Sequence, residues 1–209
     1  ISILDSALAD EGEDWVALSI RGWMNVGAGR LAQALADFER ATKLSPLEPD
    51  AVAPYAWGLL CSGSAREAVS LAETTLKKRP DRPGLLLILA TAALLIGDTQ
   101  RALSATDEAI ALTQRQPFAL AAAAWICASV DKRREAVELV AEAEASPDQK
   151  SPLCLIAPAY LALGDRTHAL LLCEQSASER ESDLFFAGVD PRLVALRRQI
   201  EGMLRPLRD

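Results

Sequence analysis

Gly29-Arg-Leu-Ala-Gln-Ala34-Leu-Ala-Asp-Phe38-Glu-Arg-Ala41-Thr-Lys-Leu-Ser-Pro46 opens on a glycine, runs through apolar positions three and four apart, and stops at a proline. A glycine suits the left-handed position that ends a helix. The spacing of Ala34, Phe38 and Ala41 is that of a buried helical face. Ser45, as the residue before a proline, avoids helical dihedrals and closes the segment. The pattern then recurs. Gly29, Gly63 and Gly97 are evenly spaced, and Ala34, Ala68, Ala102 and Ala136 keep the same step. So do the large apolar Leu18, Val52, Leu86 and Leu120 and the small Gly22, Ala56, Ala90 and Ala124. After a one-residue deletion, Leu153, Ala157, Gly164 and Ala169 mark a fifth copy. Alanine is common enough that its register alone would mean little. Glycines, alanines and large apolar residues sharing one register mark a repeat architecture.

Each unit reads helix, turn, helix. Ser64, Asp98 and Asp165 follow their glycines and are placed to cap the next helix, and Ser64-Ala65-Arg66-Glu67 has the spacing of a capping box. Between units, Ser45-Pro46, Arg79-Pro80, Arg82-Pro83, Ser146-Pro147 and Ser151-Pro152 interrupt helices. The small residues let neighbouring helices approach closely, as a stack of helical hairpins requires.

Period and pattern together resemble the tetratricopeptide (TPR) family, most closely in residues 29–46. That family has small residues at repeat positions 8, 20 and 27, here Gly22, Ala56, Ala90, Ala124 and Ala157 for position 8 and Ala41, Thr75, Ala109, Ala143 and Ser176 for position 27. Its aromatic at position 24 survives only as Phe38 and its proline at 32 only as Pro46 and Pro80, and no unit has tryptophan at position 4. The resemblance implies an all-α fold, a right-handed α-solenoid of about five stacked helix-turn-helix hairpins. The units are 15–48, 49–82, 83–116, 117–150 and 150–183. Residues 1–14 read as a partial helix and an acidic linker, and 184–209 as a capping segment. In that segment Asp190 and Pro191 start a final helix that runs to about Leu204. Arg192, Arg197, Arg198 and Arg205 on that helix are expected to form its solvated face.

The resemblance further implies that the first helix of each hairpin faces the concave surface. Position 9 there is Trp23, Trp57, Thr91 and Trp125, and nearby concave positions add Val16, Val26, Leu60, Leu87, Leu94, Leu95 and Phe118. Such an apolar strip exceeds what a monomer usually exposes, and tryptophan is enriched at binding hot spots. The competing reading packs the tryptophans between neighbouring first helices. The Lys and Asn residues of a clamp for charged peptide tails are absent, so an apolar or amphipathic peptide or helix is the expected partner. Pro158 takes position 9 of the fifth unit and is expected to kink or delay its helix.

Composition excludes several function classes. The chain has 209 residues, half of them apolar, and a net charge of -7, the wrong sign for neutralising a phosphate backbone, so no direct nucleic-acid contact is expected. Its longest apolar run, Leu85 to Ile96, is well short of the ~20 residues that span a bilayer, so no membrane insertion is expected. No signal peptide is visible. Cys61, Cys127, Cys154 and Cys173 are scattered without metal-ligand spacing and read as small buried hydrophobes of a reducing compartment. The single histidine, His168, and the absence of a Gly-rich phosphate loop argue against an enzyme and against any cofactor.

Tyr160-Leu-Ala-Leu-Gly164-Asp165, Ala169, Arg180, Val189-Asp190-Pro191-Arg192 and Leu196-Arg197 resemble the closing segment of repeat regions in bacterial transcriptional regulators and cyclase-type signalling proteins. This second resemblance implies a regulatory module belonging to a larger protein. The expected function is a non-catalytic, cytoplasmic protein-interaction scaffold. The alternatives are a sensory domain for a small apolar ligand and a secretion-type chaperone. A homodimer, with a terminal helix of a second copy in the groove, stays open.

Overall fold

A computed structural model describes residues 14–46, 48–145, 153–179 and 184–208. The partial helix and most of the acidic linker expected over 1–14, the interruptions at Ser146-Pro147 and Ser151-Pro152, and Arg180 lie outside these residues. Among the described residues the secondary structure is helical throughout. Five hairpins follow in order: α1 (Trp15–Gly27) with α2 (Leu31–Leu44), α3 (Pro49–Cys61) with α4 (Ala65–Leu76), α5 (Pro83–Leu95) with α6 (Thr99–Leu112), α7 (Pro117–Ser129) with α8 (Arg133–Glu144), and α9 (Leu153–Ala162) with α10 (Arg166–Glu179). A short α11 (Leu184–Ala187), a 3-10 segment (Pro191–Leu196) and α12 (Arg197–Arg208) complete the chain.

The turn inside each hairpin follows from one backbone device. Gly29, Gly63, Gly97 and Gly164 have φ between 75° and 88°, which only glycine adopts without cost. In the fourth hairpin Asp131 holds the same position at φ 63°, a conformation that aspartate tolerates better than most residues. The following N–H then donates back across the helix end, from Arg30 to Asn25 O, Ser64 to Leu59 O, Asp98 to Ala93 O, Lys132 to Cys127 O and Asp165 to Tyr160 O, all at 2.8–2.9 Å. This bond answers carbonyls that a helix end would otherwise orphan. Pro49, Pro83 and Pro117 each open a first helix, where the missing N–H costs nothing. Asp98 and Asp165 cap the helices that follow them, accepting from Arg101 N at 3.1 Å and His168 N at 2.9 Å. Ser64 makes no side-chain cap bond, so the expected capping box does not form.

Close approach explains the small residues. Phe38, fully buried, packs directly against Gly22: a Cβ there would come within 2.6 Å of Phe38 Cδ1. Ala56, Ala90 and Ala124 occupy the equivalent sites and are buried. The first helices α1, α3, α5, α7 and α9 neighbour one another in a row, and each second helix of the first four hairpins packs between its own first helix and the next. Helix α5 is apolar on every side, and Leu85, Leu86, Leu89, Ala90, Ala92 and Ala93 are buried against its neighbours. Pro158 lies inside α9, which runs from Leu153 to Ala162, and Pro54 lies likewise inside α3.

The C-terminal segment differs from a single capping helix. Asp190 caps as expected, accepting from Arg192 N at 2.8 Å, but a 3-10 stretch precedes α12. Helix α12 packs on α10, and α11 reaches α1, so the tail spans the molecule from its last hairpin to its first.

Candidate interaction surface

Trp23 on α1 and Trp57 on α3 face each other across the row of first helices, ring centroids 5.5 Å apart. Phe186 of α11 sits on both, edge to face, at 5.0 Å from Trp23 and 5.7 Å from Trp57. Beneath them Trp23 stands edge-on to Phe38 at 4.9 Å. Phe185 lies against Gly27, and Val189 joins the cluster of Val26, Ala34 and Phe38. The chain's own tail therefore covers the face that the first helices present over the first two hairpins.

Further along, Asp190 and Arg192 enter the same face. Arg192 grips the Asp190 carboxylate through Nε at 3.0 Å and Nη2 at 2.6 Å, and its Cζ lies 5.7 Å from the centre of the Trp125 ring. Burial opposes the Arg192 charge, but the charge and hydrogen bonds of Asp190 outweigh it and hold the guanidinium above its ordinary pKa. This corrects the expectation that Arg192 belongs to a solvated face; Arg197, Arg198 and Arg205 are exposed. Arg192 fills an apolar gap that the first helices leave, and it belongs to no repeat register that could have announced it.

Beyond the pair, a cleft of about 180 Å³ remains, lined by Trp57, Leu60, Leu87, Phe118, Leu155 and Arg192 among others. The structure thus brings Trp57, Leu60, Leu87 and Phe118 together at one cleft and Trp23 and Trp57 together under Phe186. Trp125 is only 7% exposed, beneath Arg192. Val26 is fully buried in the first hairpin's core. Leu94 is half-buried, and Leu95 and Val16 are exposed, all three outside the cleft. Phe186, Val189, Asp190, Arg192 and Leu155 are the contributors that sequence reasoning missed. The adjacent Phe185-Phe186 pair was the one available signal.

Other polar groups tie neighbouring helices together. Asp37 accepts from Arg21 at 2.6 Å and from Asn25 at 3.1 Å, and Asn25 accepts from Arg30 at 2.9 Å, which ties α1 to α2. Cys127, Cys154 and Cys173 are buried; burial pushes the Cys61 thiol up, and that of Cys127 up to about 11. Exposed His168 stacks on Tyr160 at 4.1 Å. Among the described residues no cluster could hold a metal ion, and no helix is long and apolar enough to cross a membrane.

No protein-family model matches this sequence, and no curated protein matches it. Solved structures do. TTC0263, a thermophilic TPR protein of Thermus thermophilus, superposes with a TM-score of 0.68 at 22% identity, over 92% of this chain and 100% of that one. A tetratricopeptide repeat protein from Parabacteroides merdae gives 0.59 at 15% identity, over 98% of this chain and 82% of that one. YrrB, a TPR protein with an unusual peptide-binding site, gives 0.54 at 17% identity, over 87% of this chain and 94% of that one.

Proposed function

The TPR solenoid fold shared with these structures is the premise, and on it we propose that the chain is a non-catalytic scaffold that binds an apolar or amphipathic peptide or helix on its concave face. The observation that carries this is the seat of Phe186 between Trp23 and Trp57: the face already holds an aromatic peptide segment, supplied in cis. Displacing the tail as a whole, from α11 through α12, is not the binding mode. Leu184, Leu193, Leu196, Ile200 and Leu204 are at most 1% exposed. At roughly 1.5–3 kcal/mol each, their release would cost on the order of 10 kcal/mol, as much as a typical domain's whole stability. The partner instead meets the cleft beside Arg192, where a large apolar side chain from its helix or strand inserts. The fit to YrrB supports peptide recognition as the mode. The matching C-terminal motifs support a regulatory module of a larger bacterial protein, and the buried Cys127, Cys154 and Cys173, which read as small hydrophobes, support a reducing, cytoplasmic compartment.

A second reading has its own support. A cleft of about 180 Å³ is the size that holds one ring, since an engineered apolar cavity of ~150 Å³ binds benzene. The sensory alternative therefore shares the same residues. One experiment separates the two. Peptides selected by display against the full chain are expected to share a large apolar anchor and to lose binding in Leu87→Asp and Phe118→Asp, with helicity unchanged. Selected peptides that bind these variants as tightly as wild type would defeat the scaffold reading. Thermal stabilisation by small aromatic molecules without peptide selection would favour the sensory one. Light scattering is expected to give the mass of one chain, independent of concentration, because the groove is filled in cis. A dimer broken by Trp57→Ala would mean that a second copy fills it.

A further inference from the structure

Helix α1 carries an apolar stripe that its counterparts do not expose. Ile20 is 47% and Met24 42% exposed. One period on, Pro54 and Gly58 are buried; further on, Ala92 and Ile126 are at most 1% exposed at the place of Met24. At Gly58 the cover is the second helix of the preceding hairpin. A Cβ at Gly58 would come within 2.9 Å of Leu35 Cδ2 and 3.5 Å of Phe38 Cδ2, both from α2. For α1 no preceding second helix is among the described residues.

The same register extends upstream into residues 1–10, Ile-Ser-Ile-Leu-Asp-Ser-Ala-Leu-Ala-Asp. One period before α2, Ile1 stands at the place of Leu35, Leu4 at that of Phe38 and Ala7 at that of Ala41. The small residue and both large ones thus recur where α2 has them. The link agrees as well. Helix α2 ends at Leu44 and α3 begins at Pro49; the corresponding positions are Asp10 and Trp15, the latter being where α1 begins. Asp14 caps that start, accepting from Val16 N at 3.3 Å.

We propose that residues 1–10 dock on Ile20 and Met24 as the second helix of a preceding repeat, with Ile1 and Leu4 covering Met24 as Leu35 and Phe38 cover Gly58. The occupant is this chain's own segment, which fixes the distance it must cross, matches the link length and supplies apolar residues in the required register. The assignment is independent of what the concave cleft binds, because α1 presents the stripe to its preceding neighbour and not to α11.

Hydrogen exchange of the full chain tests it. Amides of residues 5–10 are expected to be protected relative to an unfolded peptide, and Leu4→Asp and Met24→Asp are each expected to speed their exchange at least about tenfold. Peptides from α3 and α5 should exchange as in wild type, which shows that the variants still fold. Unfolded-peptide rates at 5–10 in the wild type would overturn the assignment, as would protection that both substitutions leave intact. Protection that appears only as protein concentration rises would also overturn it, since a second copy would then be the occupant.

Discussion

Replacing Phe186 by alanine tests whether the tail is part of the core or merely rests on it. The ring is half-buried and makes two edge-to-face contacts, with Trp23 at 5.0 Å and Trp57 at 5.7 Å. Truncating a fully buried phenylalanine costs ~3–5 kcal/mol, so a half-buried one costs about 2. Each aromatic pair adds roughly 0.5–1.5 kcal/mol beyond area, of which the more distant contact should supply the smaller share. A loss of about 3 kcal/mol is the expected total. For a chain of this length it should lower Tm by about 6–12 °C. Urea unfolding followed by circular dichroism measures it, with the slope against urea unchanged if only stability moves. Val194→Ala, on the same segment but 59% exposed, should stay within about 0.5 kcal/mol of wild type. Trp23→Ala combined with Phe186→Ala should show a coupling of about 1 kcal/mol. If Phe186→Ala matched Val194→Ala and added to Trp23→Ala without coupling, the covering of the concave face would not hold in solution.

Gly22→Ala should cost about 1–3 kcal/mol, because the new Cβ must displace the buried Phe38 ring; a thermal scan no different from wild type would mean that the ring has room to move. Tyr160 donates to Glu144 at 2.9 Å, and burial and that hydrogen bond push its pKa up to about 12. Its absorbance should therefore not titrate near pH 10 in the native state. Because the folded form keeps the proton that the unfolded form loses, stability should fall between about pH 10 and 12. Native titration of both tyrosines near 10 would contradict this. Asp190→Asn leaves Arg192 buried with a neutral partner and should destabilise by about 3 kcal/mol, whereas Glu142→Gln, which breaks only the exposed bond to Arg115, should cost less than about 1. Equal losses by urea unfolding would mean that solvent reaches Arg192.

The hairpins are legible in the sequence because each needs the same few things at the same places: a small residue where helices approach closely, a left-handed turn and an apolar face. Gly22 under Phe38 and the hairpin glycines at positive φ show those needs directly. Where another residue meets the need, the signal fades: Asp131 turns left-handed without being a glycine, so the series Gly29, Gly63 and Gly97 skips the fourth unit. The concave strip is legible as a row, since its positions inherit the period. Its occupant is not. Phe185, Phe186, Asp190 and Arg192 lie outside the repeats, and a single occurrence does not tell which way a tail turns. Composition alone sends the arginine to solvent, although the carboxylate two residues before it supplies the partner that a buried guanidinium requires.

That occupant changes what kind of solenoid this is. In an open array each hairpin touches only its neighbours, and stability is close to a sum of nearest-neighbour interfaces. Helix α11 adds a contact between the fifth hairpin's continuation and α1, the first and last parts of the described array. Fraying of the first hairpin must then break the Phe186 cluster as well as its interface with α3, and loss of the tail must expose Trp23 and Trp57. The ends, usually the least stable part of a repeat protein, are coupled to each other through the concave face. The same short helix touches both α10 and α1. A partner that meets the cleft beside Arg192 therefore meets walls that the closure holds in place, and it need not supply the ordering of an open, flexible groove.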